Sequence, residues 1–168
     1  MLTLVLSAIL LVFFYGKILV NPGEYIFATG GDGLRSYYGT YYHVKYDSDF
    51  GHSMSQNYPF GESMHFGDSQ PLISDFMLLL KNLGFDYSNY TIAVINLMMI
   101  LSIALGALVI FILLRNLGLP FLYSMLVANI IAFLSPQVDR MGGISAWYMC
   151  FIFHCICCFY TDISGNLN

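Results

Sequence analysis

The sequence predicts an all-α membrane protein: about four transmembrane helices, with a large external loop of interfacial helices between the first and second. Three observations predict it. The 168-residue chain is 58% hydrophobic and only 10% charged, whereas ordinary soluble domains carry roughly 25% charged residues. Several apolar runs approach or exceed the ~20 residues that cross a bilayer. Between the first two runs, residues 21–90 hold eight of the ten carboxylates, three of the four histidines and nine of the thirteen tyrosines.

The first span is residues 1–20, with Lys17 near its end. It lacks a basic leading region and a small-residue cleavage site, so it reads as an uncleaved anchor rather than a signal peptide. The external loop, residues 21–90, opens with Asn21-Pro22-Gly23, which has strong turn chemistry. Gly30-Gly31-Asp32-Gly33 is a second flexible point. Leu34, Tyr37, Tyr38, Tyr41 and Tyr42 then recur at helical spacing. The aromatic face of that helix suits a membrane interface, where tyrosine is enriched.

Residues 46–68 have no period, and Pro59, Gly61 and Gly67 mark them as irregular. A second loop helix is expected near Ser69, with Pro71 in its first turn, Leu72, Phe76, Leu79 and Leu80 as its apolar face, and Gly84 as its stop. The second span, residues 91–115, has no charge between Ile92 and Leu114. The third, residues 119–134, contains Asn129. An external link follows at 135–145, then a candidate fourth span at 146–161 interrupted by His154, then a polar tail at 162–168.

Positive residues favour the cytoplasmic side of short loops. The link between spans two and three carries Arg115, whereas the long loop has three basic residues against eight acidic ones. The long loop and the 135–145 link are therefore placed together outside the cytoplasm, with Asp139 and Arg140 beside the loop. A net charge of −4 and no basic cluster argue against nucleic acid. Cys150, Cys155, Cys157 and Cys158 contain no C-x-x-C pair, which argues against zinc, and they read as small apolar residues.

Several side chains are candidates for chemistry. Asp32 lies in a glycine-rich turn between a span and a helix. It is either an N-cap or a general base or metal ligand at the membrane surface, where flanking glycines allow close approach. Asp68 precedes a helix and is either a helix-dipole partner or a second acid. Glu62, His65 and Asp68 recur at i, i+3 and i+6, an oxygen-and-imidazole set suited to magnesium or manganese; solvated loop residues are the plainer reading. Asp47 and Asp49 form a D-x-D, and His43 and His52 have no strong partner pattern. Arg140, at a span boundary, is either an interface anchor or a two-pronged phosphate clamp.

The order of these parts resembles the GT-C superfamily of integral-membrane glycosyltransferases. GGDGLRSYY, NYPFGE, DSQP and SPQVDR look like bacterial, Bacteroidetes-type members of that group, over roughly residues 15–143. The resemblance implies a polyprenyl-phosphate-linked sugar donor, membrane lipids as partners and an inner-membrane location with the long loop outside the cytoplasm. It implies Asp32 as the catalytic base, or as the group that binds the metal and the acceptor; the divalent cation (Mg or Mn) for which the spacing offers Glu62, His65 and Asp68 would join it there. Asp68 would be the second acid and Arg140 the phosphate contact.

GT-C enzymes have more spans than this chain. After Gly143 the sequence changes character, and ISAWYMCFIFHCICCFY followed by TDISGNLN looks like a truncated or frameshifted reading. The expectation is an N-terminal part, inactive by itself. The alternatives are a small non-enzymatic membrane subunit and a lipid- or glycan-binding membrane protein.

Overall fold

A computed structural model describes residues 2–27, 31–55, 57–64 and 71–135. The chain is mostly helical. In order, the elements are α1 (Leu2–Val20), α2 (Gly31–Tyr46), β1 (His52–Ser53), β2 (Glu62–Ser63), α3 (Pro71–Asn82), a 3-10 turn (Ser88–Tyr90), α4 (Thr91–Asn116) and α5 (Phe121–Phe133).

Two helical stretches, Leu2–Val20 and Ser88–Asn116, are long and apolar enough to cross a membrane. They match the first two expected spans. The third is shorter than expected. Pro120 occupies the N-cap position of α5 and offers no N–H to an earlier turn, so the helix starts at Phe121. Its 13 residues rise only about 20 Å, less than the ~30 Å of a bilayer core. The candidate fourth span lies outside the described residues, as do His154 and the four cysteines.

The described residues form two compact units. Residues 2–16 and 99–135 belong to one, residues 17–98 to the other. In the first, the buried Ser7 hydroxyl lies 2.7 Å from Asn129 Oδ1 and 2.9 Å from the Thr3 carbonyl. Asn129 Nδ2 donates to the Met125 carbonyl. Phe14 meets Phe133, and Phe111 packs edge-on against Phe121. The α4–α5 connection closes on Gly118 (φ +80°), where the Gly118 and Leu119 N–H groups donate back to the Arg115 and Leu114 carbonyls. This is the left-handed helix stop that glycine permits.

The second unit is built around α2 and α3, which pack together. Val44, Met64, Met77 and Leu78 are its buried apolar side chains beside these helices. Pro71 begins α3 as expected, since a proline in the first helical position loses no hydrogen bond. Gly84 (φ +95°) stops it, with the Gly84 and Phe85 N–H groups bonded to the Lys81 and Leu80 carbonyls. The stretch expected to be irregular contains a small antiparallel pair, with His52 opposite Ser63 and Ser53 opposite Glu62.

The buried face of α2 differs from its tyrosine face. Gly33, Ser36, Tyr37, Gly39, Thr40, His43 and Val44 are buried. Leu34, Tyr38 and Tyr46 are exposed. The Tyr38, Tyr42 and Tyr46 rings follow one another along the helix at 5.9 and 5.0 Å. Tyr37 alone of the expected stripe turns inward, because its hydroxyl has a buried partner.

Candidate functional site

Asp32 stands in the first turn of α2, just after Gly31 (φ +61°), and is exposed. A carboxylate there interacts favourably with the positive end of the helix dipole. Glu62 lies on β2, where Asn57 Nδ2 donates to its Oε2 at 3.3 Å. His65, Asp68 and Arg140 lie outside the described residues, as does Asp139. Among the described residues no group of three His, Cys, Asp or Glu side chains could hold a metal ion. Of the four residues expected to hold a divalent cation, Asp32 lies on α2 and Glu62 on β2.

At the other end of α2 the structure assembles a cluster that spacing alone does not reveal. His43 is fully buried. Its Nδ1 lies 3.0 Å from Asp47 Oδ2, one turn along α2, and its Nε2 lies 3.1 Å from Asp75 Oδ1 on α3. Asp75 Oδ1 also accepts from the Gly51 N–H at 3.1 Å, and the Asp47 carboxylate accepts a longer bond from the Met54 N–H. One imidazole thus joins α2, α3 and the segment around β1. A carboxylate oxygen can only accept, so both contacts are hydrogen bonds when both ring nitrogens carry a proton. With both nitrogens engaged and the ring fully buried, the cluster clamps these segments together. The D-x-D is also divided: Asp47 turns into this clamp, while Asp49 is exposed beside Ser48.

Lys81 strengthens the same junction. Its Nζ donates to the Val44 and Lys45 carbonyls at 3.0 and 2.8 Å, near the free C-terminal end of α2. Lys45 turns outward, donating to the Tyr41 hydroxyl at 2.5 Å and lying over the Tyr41 and Tyr46 rings. That phenol oxygen holds the Lys45 ammonium above its ordinary range.

A second buried hub sits on α4. Asn96 is fully buried. Its Nδ2 donates to the Pro22 and Tyr25 carbonyls, both at 2.6 Å, and its Oδ1 accepts from the Tyr37 hydroxyl. The Phe27 N–H donates to the same phenol oxygen at 3.4 Å. Burial pushes the Tyr37 hydroxyl up to about 12, against a smaller opposing effect of the Phe27 N–H. Asn96 therefore ties the turn after α1 and the helix α2 to the start of α4. Asp86 prepares that start by accepting from the Ser88 N–H at 2.9 Å, which lowers its carboxyl below the usual range.

The spacing of His43 and Asp47, one helical turn apart, was a signal available in the sequence. Asp75, 32 residues from His43, carried none. Asn96 was visible only as a lone amide in an apolar run. Asp32 and His43 lie on one helix but eleven residues apart, about 16 Å of rise, so the exposed acid and the buried clamp are distinct places.

A family model matches residues 4–161. The chain belongs to the DUF6311 family, a domain of unknown function. No curated protein and no solved structure matches it. The family match spans α1 through α5, including both the clamp and Asp32.

Proposed function

We propose that this DUF6311 chain is the N-terminal part of an integral-membrane glycosyltransferase of the GT-C type, acting on a sugar linked to a polyprenyl phosphate. The single observation that carries the reading is Asp32. It is an exposed carboxylate in the first turn of the helix that follows the first apolar helix. In the proposed topology the two long apolar helices, Leu2–Val20 and Ser88–Asn116, cross the bacterial inner membrane, and the polar residues between them lie outside the cytoplasm. Asp32 takes the proton of an acceptor hydroxyl as general base. The acceptor oxygen bonds to the anomeric carbon, the bond from that carbon to the phosphate oxygen breaks, and polyprenyl phosphate leaves. Asp68 is proposed as a second acid and Arg140 as the contact to the leaving phosphate. The clamp at His43 fixes the far end of the helix that bears Asp32, which limits its motion without taking part in chemistry.

The test uses membranes carrying the full-length gene product, supplied with undecaprenyl-phosphate-linked radiolabelled glucose, galactose, mannose or arabinose. Wild-type membranes are expected to move label out of the lipid fraction from at least one donor. Asp32→Asn should slow that transfer by at least about a hundredfold. No transfer from any donor, or equal transfer by the variant, refutes the reading. The Tyr38–Tyr42–Tyr46 ladder, exposed at Tyr38 and Tyr46, favours one rival, a glycan- or lipid-binding membrane protein without turnover. Retention of a labelled donor with no released product is its signature in the same assay.

A further inference from the structure

We infer that the outer face of α3 is a lipid-docking surface, seated in the membrane–water interface with Leu72, Phe76, Leu79 and Leu83 among the acyl chains. The inference rests on reading the apolar helix Ser88–Asn116 as membrane-crossing, a part of the proposed function. Those four side chains recur at i, i+4, i+7 and i+11, which is one helical stripe continued just past the end of α3. They are 79%, 58%, 44% and 64% exposed. The only two charged residues of α3, Asp75 and Lys81, both turn the other way and bond to α2. The helix thus spends its charges on the protein and presents a face without charge. Water-facing surfaces rarely carry a contiguous apolar stripe of this kind without something to cover it.

Chain length names the occupant. Only residues 83–87 separate α3 from Ser88, where the apolar helix begins. Even fully extended, that connection reaches no more than about 20 Å. Tyr87 and Tyr90, 48% and 63% exposed, flank the start of the same helix, where interfacial tyrosine is expected. If that start lies at the membrane surface, α3 is tethered beside it. A helix with one apolar face then lies in the plane of the interface. The clamp at His43 and the Lys81 bonds carry this placement to α2.

The experiment uses the full chain with its single tryptophan removed by Trp147→Phe, reconstituted in nanodiscs of dioleoylphosphatidylcholine with or without bromine on the acyl chains. A tryptophan is then introduced by Phe76→Trp or, at the most exposed position of the stripe, Leu72→Trp. Leu105→Trp, midway along α4, reports whether that helix is in lipid, and Ser48→Trp reports water. Seated about 5–10 Å into the interface, the tryptophans at 76 and 72 should lose at least about half their emission to brominated lipid, while that at 48 keeps its own. Quenching at 105 without quenching at 72 and 76 overturns the docking surface and leaves the spanning reading intact. Blue-shifted but unquenched emission at 72 and 76 also overturns it, since protein and not lipid then covers the stripe. Absence of quenching at 105 as well overturns both.

Discussion

Replacing His43 by alanine removes the partner of Asp47 and of Asp75 at once. Both carboxylates keep a backbone N–H, and Asp75 is partly exposed. The loss should therefore sit near the low end for breaking a buried pair, about 3 kcal/mol. It is read as a lowered thermal midpoint of the purified protein in detergent, and no change in midpoint would remove the clamp. Tyr37 offers a pH test. The unfolded phenol releases its proton near its ordinary value of 10.0, whereas the folded one holds it to about 12. The unfolded state is thus progressively favoured as pH rises from about 10 to 12. Stability contributed by Tyr37 is complete below that window and lost across it. Tyr37→Phe should therefore fall less steeply with pH than the wild type between those values, as followed by chemical denaturation. Parallel curves would contradict the assignment. Neither role was legible from residue type: His43 needed Asp75, far away in sequence, and Tyr37 looked like one more ring in an aromatic stripe.

Helices were more legible than their faces. Pro71 and Gly84 bracket α3 because a proline start and a left-handed glycine stop depend on local backbone alone. Which face of α2 would be buried depended on partners supplied by α3 and α4. The small side chains at Gly33, Ser36 and Thr40 won the interior, and Tyr38 and Tyr46 were left outside. The β1–β2 pair was missed because two-residue strands leave no alternation to read. Its turn nevertheless carries a testable constraint. Gly61 has φ +71°, and a Cβ there would collide with His52 Nε2 and lie 2.8 Å from Met54 Sδ. Gly61→Ala should cost at least about 1–2 kcal/mol for the left-handed backbone, with faster amide exchange around residues 52–63. Unchanged exchange would show that the hairpin adjusts freely. Lys81→Met tests the α2–α3 junction in the same way. It frees the Val44 and Lys45 carbonyls and should lower stability by about 1 kcal/mol.

At the scale of the molecule, two stretches are long and apolar enough to cross a membrane, with the polar residues 21–87 between them. That alternation was legible because a bilayer needs length and apolarity, which composition displays directly. The third apolar run forms a shorter helix than its hydropathy suggests: Pro120 sets its start, and a hydropathy pattern does not register where hydrogen bonding begins. Function was legible least of all. Asp32 is a single acid in a glycine-rich turn, and capping and catalysis ask for the same residue in the same place.

The central claim, that Asp32 is held outside the cytoplasm between two crossing helices, is tested most directly by labelling in intact cells with a membrane-impermeant maleimide. The full chain, freed of its four cysteines, carries Ser48→Cys two residues beyond α2 or Asn116→Cys at the end of α4, both exposed positions. The cysteine at 48 should label in intact cells, and that at 116 only after permeabilisation. Labelling of both sites in intact cells, or of 116 alone, would contradict the claim.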